Sequence, residues 1–370
     1  MSTNALSALN RYDGGINNSI DGSSIDSGMT EIVNHTGGLV RGERFDRLSE
    51  VFQALTGRRA ARILFPGGKG RKSAVVVTDE DAMFVITRRR HAGRAELETE
   101  VLRELKQQGA PVPAIIARDG KWIVQEHLGE VRLSEAIDAA SPAARRVLLR
   151  AATESLIALH QAGRRAGLER RVILIGKNPS WLETLVDMPL RIGEYLAMPT
   201  PALPREAVMA RLVVEKPAFI KWDARPGNAA VRPDGTVAWF DWEHCGCRAP
   251  LDDLGWLLGD EWSPDDPLGE GDLLEIYLAD FAGDKPAAAR DYLMTFGTLH
   301  MCVRLSLILS RKDDGDWWDR GYCLVGDKIG VTLQEATKVA GRAGRWSAAS
   351  SLLAPLSPWF KDIADRVQEL

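Results

Sequence analysis

Apolar positions along the chain fall into two regimes. From Arg41 the run F-D-R-L-S-E-V-F-Q-A-L places apolar residues at three-and-four spacing, which predicts an amphipathic helix. Short β-branched or aromatic runs follow at Ala61 to Phe65, Ala74 to Thr78 and Met83 to Thr87, separated by the turn signals Pro66-Gly67-Gly68-Lys69-Gly70 and Asp79-Glu80-Asp81. They predict an antiparallel meander. Arg94 to Gln108 carries Leu97, Val101, Leu102 and Leu105 on one helical face until Pro111 and Pro113 stop it. Two further strands, Ala114 to Arg118 and Trp122 to Glu126, flank an Asp119-Gly120 turn. Strand, glycine turn, strand, strand, helix, strand, strand describes a small α+β lobe.

Beyond Leu133 the period changes to that of helices, with long segments at Ala143 to Gln161, Ser180 to Ala197, Asp272 to Phe281, Ala287 to Ser310 and Leu324 to Ala340. The exception is Phe219 to Asp241, where two short apolar runs surround polar loops. With 370 residues, two structural units are expected. The predicted organisation is a flexible N-terminal arm over 1–40, rich in Ser, Asn, Gly and Asp, a small lobe over 41–128, and a mainly helical lobe over 129–370.

Composition narrows the class. No run of about 18 uninterrupted apolar residues occurs, and the first residues lack the basic start and apolar core of a secretion signal, so a cytoplasmic protein without a membrane partner is expected. Four cysteines are too few for a disulfide framework, and Cys245 with Cys247 lacks the second pair of a structural zinc site. A formal net charge of −4 argues against a nucleic-acid partner.

The chemistry concentrates in F-I-K-W-D-A-R-P-G-N-A-A-V-R-P-D-G-T-V-A-W-F-D-W-E, which begins at Phe219. Asp223 and Asn228 are joined through a Pro-Gly turn, a hairpin follows, and Asp241 ends its second strand, so the fold-back can bring the three side chains to one point. Phosphoryl transfer needs such a set: one carboxylate for the accepting hydroxyl, and an Asn with a second carboxylate for Mg2+ on the nucleotide phosphates.

This segment, with the later P-L-D-D-L, resembles the aminoglycoside phosphotransferase and choline kinase superfamily, whose catalytic loop reads approximately H-G-D-x-x-x-x-N and whose metal loop reads I-D-W-E. The resemblance implies a bilobal protein-kinase-like fold of the α+β class and an ATP-dependent kinase acting on a small molecule. By it Asp223 is the catalytic base, Asn228 and Asp241 hold Mg2+ with help from Glu243, and Asp253 buttresses the catalytic loop. Gly67, Gly68 and Gly70 occupy the place of the nucleotide loop, although the same residues also suit an ordinary hairpin turn. Glu98, in an E-x-x-x-L-x-x-L helix, is the implied partner of the strand cation that grips the phosphates, for which Arg88 is the candidate. Gln125 and His127 match the hinge that holds adenine through backbone groups, and His160 in L-x-x-L-H is expected to be structural.

Lys221-Trp222 replaces the family's His-Gly before the catalytic Asp. The lysine is expected to pair with Asp241 or a backbone carbonyl, or else to compete with the metal. The acidic, indole-bearing segments Asp260 to Asp266 and Asp313 to Asp319 suit a cationic acceptor, and equally suit solvated loops. Three readings stay open: a small-molecule kinase, a kinase acting on a protein, and an inactive nucleotide-binding relative. The dozen residues from Asp241 to Asp253 leave little room for the long activation segment of a protein kinase, which favours the first.

Overall fold

The computed structural model describes residues 43–66 and 72–370. The arm predicted for 1–40 and the turn glycines Gly67, Gly68 and Gly70 lie outside the described residues. The chain forms two compact units, one reaching to Thr99 and taking in Ala114–His127, the other made of Glu100–Pro113 and Leu128–Leu370.

The first unit opens with helix α1 (Glu43–Thr56), followed by strands β1 (Ala60–Leu64), β2 (Ser73–Thr78), β3 (Met83–Arg88), β4 (Ile115–Asp119) and β5 (Trp122–Glu126). All pairings are antiparallel, in the order β1-β2-β3-β5-β4. Strand alternation sends Ala74, Val76, Phe84, Ile86 and Val124 to one face, where Leu48 and Phe52 of α1 cover them. Helix α2 (Ala92–Gln107) supplies this unit with its residues up to Thr99.

The second unit is mainly helical: α3 (Leu133–Ala139), α4 (Pro142–Arg165), α5 (Pro179–Val186), α6 (Met188–Leu196), α7 (Arg205–Arg211), α8 (Pro250–Gly259), α9 (Pro267–Phe281), α10 (Pro286–Lys312), α11 (Arg320–Val325), α12 (Leu333–Ala348) and α13 (Leu356–Arg366). Its two short sheets pair β6 (Ala218–Ile220) with β9 (Gly246–Arg248), and β7 (Ala229–Val231) with β8 (Val237–Trp239). The Asp234-Gly235 turn joins β7 to β8, with Gly235 at φ +81° and the Asp234 carboxylate accepting from the Thr236 amide and hydroxyl. Helix α10 has the length and apolarity to cross a membrane, yet 89% of its most apolar window is buried inside the protein, so it is the core helix of this unit.

Two predicted helices are broken. The stretch expected over 180–197 divides at Asp187, because Pro189 has no amide to continue the ladder and instead sits in the first turn of α6. The stretch expected over 324–340 is interrupted at 326–332, where Asp327 adopts φ +45° and Thr332 caps α12 by accepting from the Glu335 amide. Cys245, Cys247, Cys302 and Cys323 are buried and unbonded to one another, as expected of reduced thiols.

Candidate active site

The loop between β6 and β7 is bent by consecutive left-handed residues, Trp222 at φ +56° and Asp223 at φ +55°. Each such residue costs about 1–2 kcal/mol, so something must hold the turn. Asp253, at the start of α8, does so: its Oδ2 accepts the Lys221 amide and its Oδ1 the Trp222 amide, both at 2.8 Å. Trp222 is buried against Trp256 at 5.3 Å between ring centroids, Trp181 at 5.9 Å and Phe296 at 6.2 Å. Burying an indole offsets the strain that a glycine would avoid.

Asp223 and Asn228 meet directly. The Asn228 amide donates from Nδ2 to Asp223 Oδ2 at 2.7 Å and to the Asp223 carbonyl at 3.0 Å. Both partners are acceptors, so the amide nitrogen must face them and the amide oxygen points elsewhere. Asp241 follows β8 at φ +57°, and the Phe240 amide donates to the Asn228 carbonyl at 3.0 Å, which seats the two metal candidates on neighbouring backbones. Burial pushes the Asp223 carboxyl above its ordinary range, against the pull of the Arg225 and Lys221 charges, and the Asp241 charge pushes it further up.

Lys221 is fully buried, and its ammonium donates to the carbonyls of Asp223 and Asp241, each at 3.2 Å. It lies 5.4 Å from the Trp242 ring centroid and 5.9 Å from that of Trp239. The lysine therefore takes the carbonyl-pairing alternative and ties the loop of Asp223 to the loop of Asp241. Burial lowers its pKa while the charges of Asp223, Asp241 and Asp253 raise it.

Behind Asp253 lies His160, as a structural partner. Its Nδ1 is 3.0 Å from the Phe219 carbonyl and its Nε2 is 3.3 Å from Asp253 Oδ2. Burial lowers the His160 pKa to about 4 and raises that of Asp253 to about 7.

Glu243 is half-buried, and its carboxylate lies 3.4 Å from His244 Nε2. The two metal candidates would offer an amide oxygen and a carboxylate, hard ligands that suit Mg2+, and among the described residues no group of three His, Cys, Asp or Glu side chains stands ready for a metal. A metal here would take its remaining ligands from water and phosphate.

In the first unit the pairing expected of Arg88 is made by its neighbour. Arg89 is buried and forks onto Glu98, Nε to Oε2 at 2.6 Å and Nη2 to Oε1 at 2.7 Å. Arg88 is exposed, 5.8 Å from the Trp122 ring centroid. The reason is strand alternation: Arg88 shares a face with Phe84 and Ile86, at the exposed end of β3, whereas Arg89 emerges on the opposite side. The Gln125 side chain is buried in β5 with Oε1 lacking a hydrogen-bond partner among the described residues, and His127 is the last residue of the first unit.

A family model described as phosphotransferase enzyme family matches residues 64–292, more than half of the 370. The chain belongs to that family. Among solved structures, an amicoumacin kinase in complex with AMP-PNP, Ca2+ and Ami is similar with a TM-score of 0.53 at 14% identity, over 79% of this chain and 95% of that one. A choline/ethanolamine kinase family protein from Mesorhizobium loti gives 0.50 at 18% identity, over 88% and 99%. The macrolide 2'-phosphotransferase of Brachybacterium faecium gives 0.50 at 16%, over 72% and 94%. At such identities the likeness establishes the fold, which is protein-kinase-like. A search of curated protein sequences gave no match.

The acidic segment that opens at Asp260 is neither the acceptor-facing nor the solvated loop that was expected. Asp260 and Glu261 are fully buried and already neutralised: Arg304 forks onto Glu261, with Nε to Oε2 at 2.7 Å, and Arg225 Nε lies 3.5 Å from Asp260 Oδ2. Burial would raise Glu261, but the Arg304 guanidinium overrides it and holds the carboxyl below its usual range. These two carboxylates serve the interior and present no acidic face. Asp313, Asp314, Asp316 and Asp319 are exposed.

Proposed function

We propose that the chain transfers the γ-phosphate of ATP to a hydroxyl of a small-molecule acceptor, with Asp223 as the base and Asn228 and Asp241 as Mg2+ ligands. The observation that carries this reading is the junction of Asp223, Asn228 and Asp241, closed by hydrogen bonds within the loop and by the Lys221 ammonium across it. A buried carboxylate with a raised pKa is a better acceptor for a hydroxyl proton, and the Asn228 amide fixes its orientation. The metal, when bound, supplies charge neutralisation on the transferred phosphate. In the first unit the Arg89–Glu98 pair supports Arg89 as the phosphate cation, since a guanidinium can bind carboxylate and phosphate together. Adenine contacts are proposed for the backbone of Gln125 and His127, and phosphate contacts for Gly67, Gly68 and Gly70.

The inactive-relative reading rested on a lysine in the metal site. With the ammonium donating to carbonyls, the observation favours an active enzyme. A cationic acceptor draws support only from the exposed carboxylates of the 313–319 segment and from Trp317 and Trp318.

The test is magnesium-dependent ATP turnover with a panel of amino-alcohol, sugar and aminoglycoside acceptors. Asp223→Asn is expected to lower kcat by about 10² to 10⁴ while nucleotide affinity stays within a few-fold. Near-normal turnover in that variant would remove Asp223 from the role of base.

A further inference from the structure

Outside the catalytic triangle, the turn that carries Asn228 is gripped from a distant part of the chain. Asp327 lies in the 326–332 break between α11 and α12, nearly buried. Its Oδ1 accepts from Arg225 Nη2 at 2.8 Å, and its Oδ2 lies 2.9 Å from Arg132 Nη1. The same Arg132 nitrogen donates to the Gly227 carbonyl at 2.8 Å. Two guanidiniums thus converge on one carboxylate directly over Pro226-Gly227-Asn228. Gly227 has no Cβ for a reason that fits: a Cβ there would stand 2.1 Å from Asp327 Oδ1 and 2.9 Å from Arg225 Nη2. The break itself is pinned, since the Gly330 amide donates to Glu261 at 3.2 Å and Trp262 Nε1 donates to the Lys328 carbonyl at 3.2 Å.

We propose that Asp327 is a positioning residue for phosphoryl transfer, fixing the turn at Asn228 by holding Arg225 and Arg132 together above Gly227. The proposal rests on the reading of Asp223 and Asn228 as catalytic machinery. Without the carboxylate, Arg225 loses its 2.8 Å partner and keeps Asp260 at 3.5 Å, and two like charges face each other beside the turn. The loop must then open or rotate, and Asn228 moves with it. An asparagine of the same size cannot repair this, because one of its two ends is a donor.

The experiment compares wild type, Asp327→Asn and Asp327→Glu for kcat, KM for ATP and the Mg2+ concentration at half-maximal turnover. Asp327→Asn is expected to lower kcat tenfold or more and to raise the Mg2+ midpoint, with KM for ATP within about twofold; Asp327→Glu should recover part of the loss. A role in stability alone would shift the melting temperature and leave kcat per folded molecule unchanged, and that result overturns the proposal. Should Asp327→Asn fail to fold, Arg132→Gln breaks the same clamp from its more exposed side and is expected to move kcat and the Mg2+ midpoint in the same direction. Gly227→Ala provides a check by coupling: it should cost turnover in the wild-type background and little more in an Asp327→Ala background, where the colliding carboxylate is gone. Independent, multiplicative losses would count against the clamp. A wild type that transfers no phosphate to any acceptor defeats the proposed function and this inference with it, whereas an active wild type with an unaffected Asp327→Asn defeats the inference alone.

Discussion

Replacing His160 with Gln probes the proton balance behind the loop of Asp223. The Phe219 carbonyl can only accept, so Nδ1 carries the ring proton and Nε2 turns a lone pair toward Asp253 Oδ2, 3.3 Å away. Two lone pairs at that distance repel unless a proton lies between them. With His160 titrating at about 4 and Asp253 at about 7, the folded pair holds one proton through the interval, on Asp253. The unfolded pair also holds one near pH 5, but on the histidine, whose ordinary value is 6.5, and not on the aspartate at 3.8. Their opposing contributions to stability therefore nearly cancel. His160 alone contributes stability that rises with pH from about 4 to 6.5, because there the unfolded state binds a proton that the folded state lacks. At about 1.4 kcal/mol per pH unit this amounts to about 3 kcal/mol across the interval. Asp253 acts the other way: its folded form holds the proton longer, so stability falls as pH climbs toward about 7. In His160→Gln only the Asp253 slope remains. Urea unfolding of both proteins at pH 4.5, 5.5 and 6.5 should show the wild-type advantage growing by about 2 kcal/mol toward the upper end. Parallel curves with a constant offset would refute a neutral His160.

Lys221→Met keeps the apolar stem and removes the donor to the Asp223 and Asp241 carbonyls. It should raise the Mg2+ requirement and lower kcat about tenfold, or ~1.4 kcal/mol of barrier, whereas an unchanged metal dependence in steady-state kinetics would mean that the lysine does not hold the Asp241 loop. Arg89→Gln should raise KM for ATP and lower kcat/KM at least about tenfold, while Arg88→Gln, altering an exposed side chain, should leave both near wild type. The reverse ranking would return the phosphate-gripping role to Arg88.

Much of the first unit could be read from sequence because strand alternation and the Asp119-Gly120 turn leave few choices of register. The same alternation, followed from Phe84 and Ile86, points to Arg89 rather than Arg88 as the residue leaving the helix-covered face; choosing by family position alone missed it by one residue. In the second unit, apolar periodicity runs on through Asp187 and Gly326, where the chain in fact breaks, since a proline or a left-handed residue interrupts backbone hydrogen bonding without disturbing the pattern of apolar side chains. The junction of Asp223 with Asn228 was legible because it is local and set by one turn. Asp327 was not, since nothing near it in sequence reveals a partner 102 positions earlier. For Asp260 and Glu261, burial by Arg225 and Arg304 reversed the role that their local composition suggested.

The indole beside Asp223 limits how this protein can vary. Trp222 precedes Asp223 and is wedged among Trp181 of α5, Trp256 of α8 and Phe296 of α10, so the back of this turn is also the hydrophobic interior of the helical unit. In a chain with glycine at that position, interior packing can drift while the turn stays put. Here a volume change at any of the three aromatic neighbours presses on a residue already held at φ +56°. With Asp223 as the proposed base, sequence drift in the core of this protein is constrained by the geometry of that turn as well as by stability, and redesigns that repack those rings are expected to alter turnover before they alter the fold.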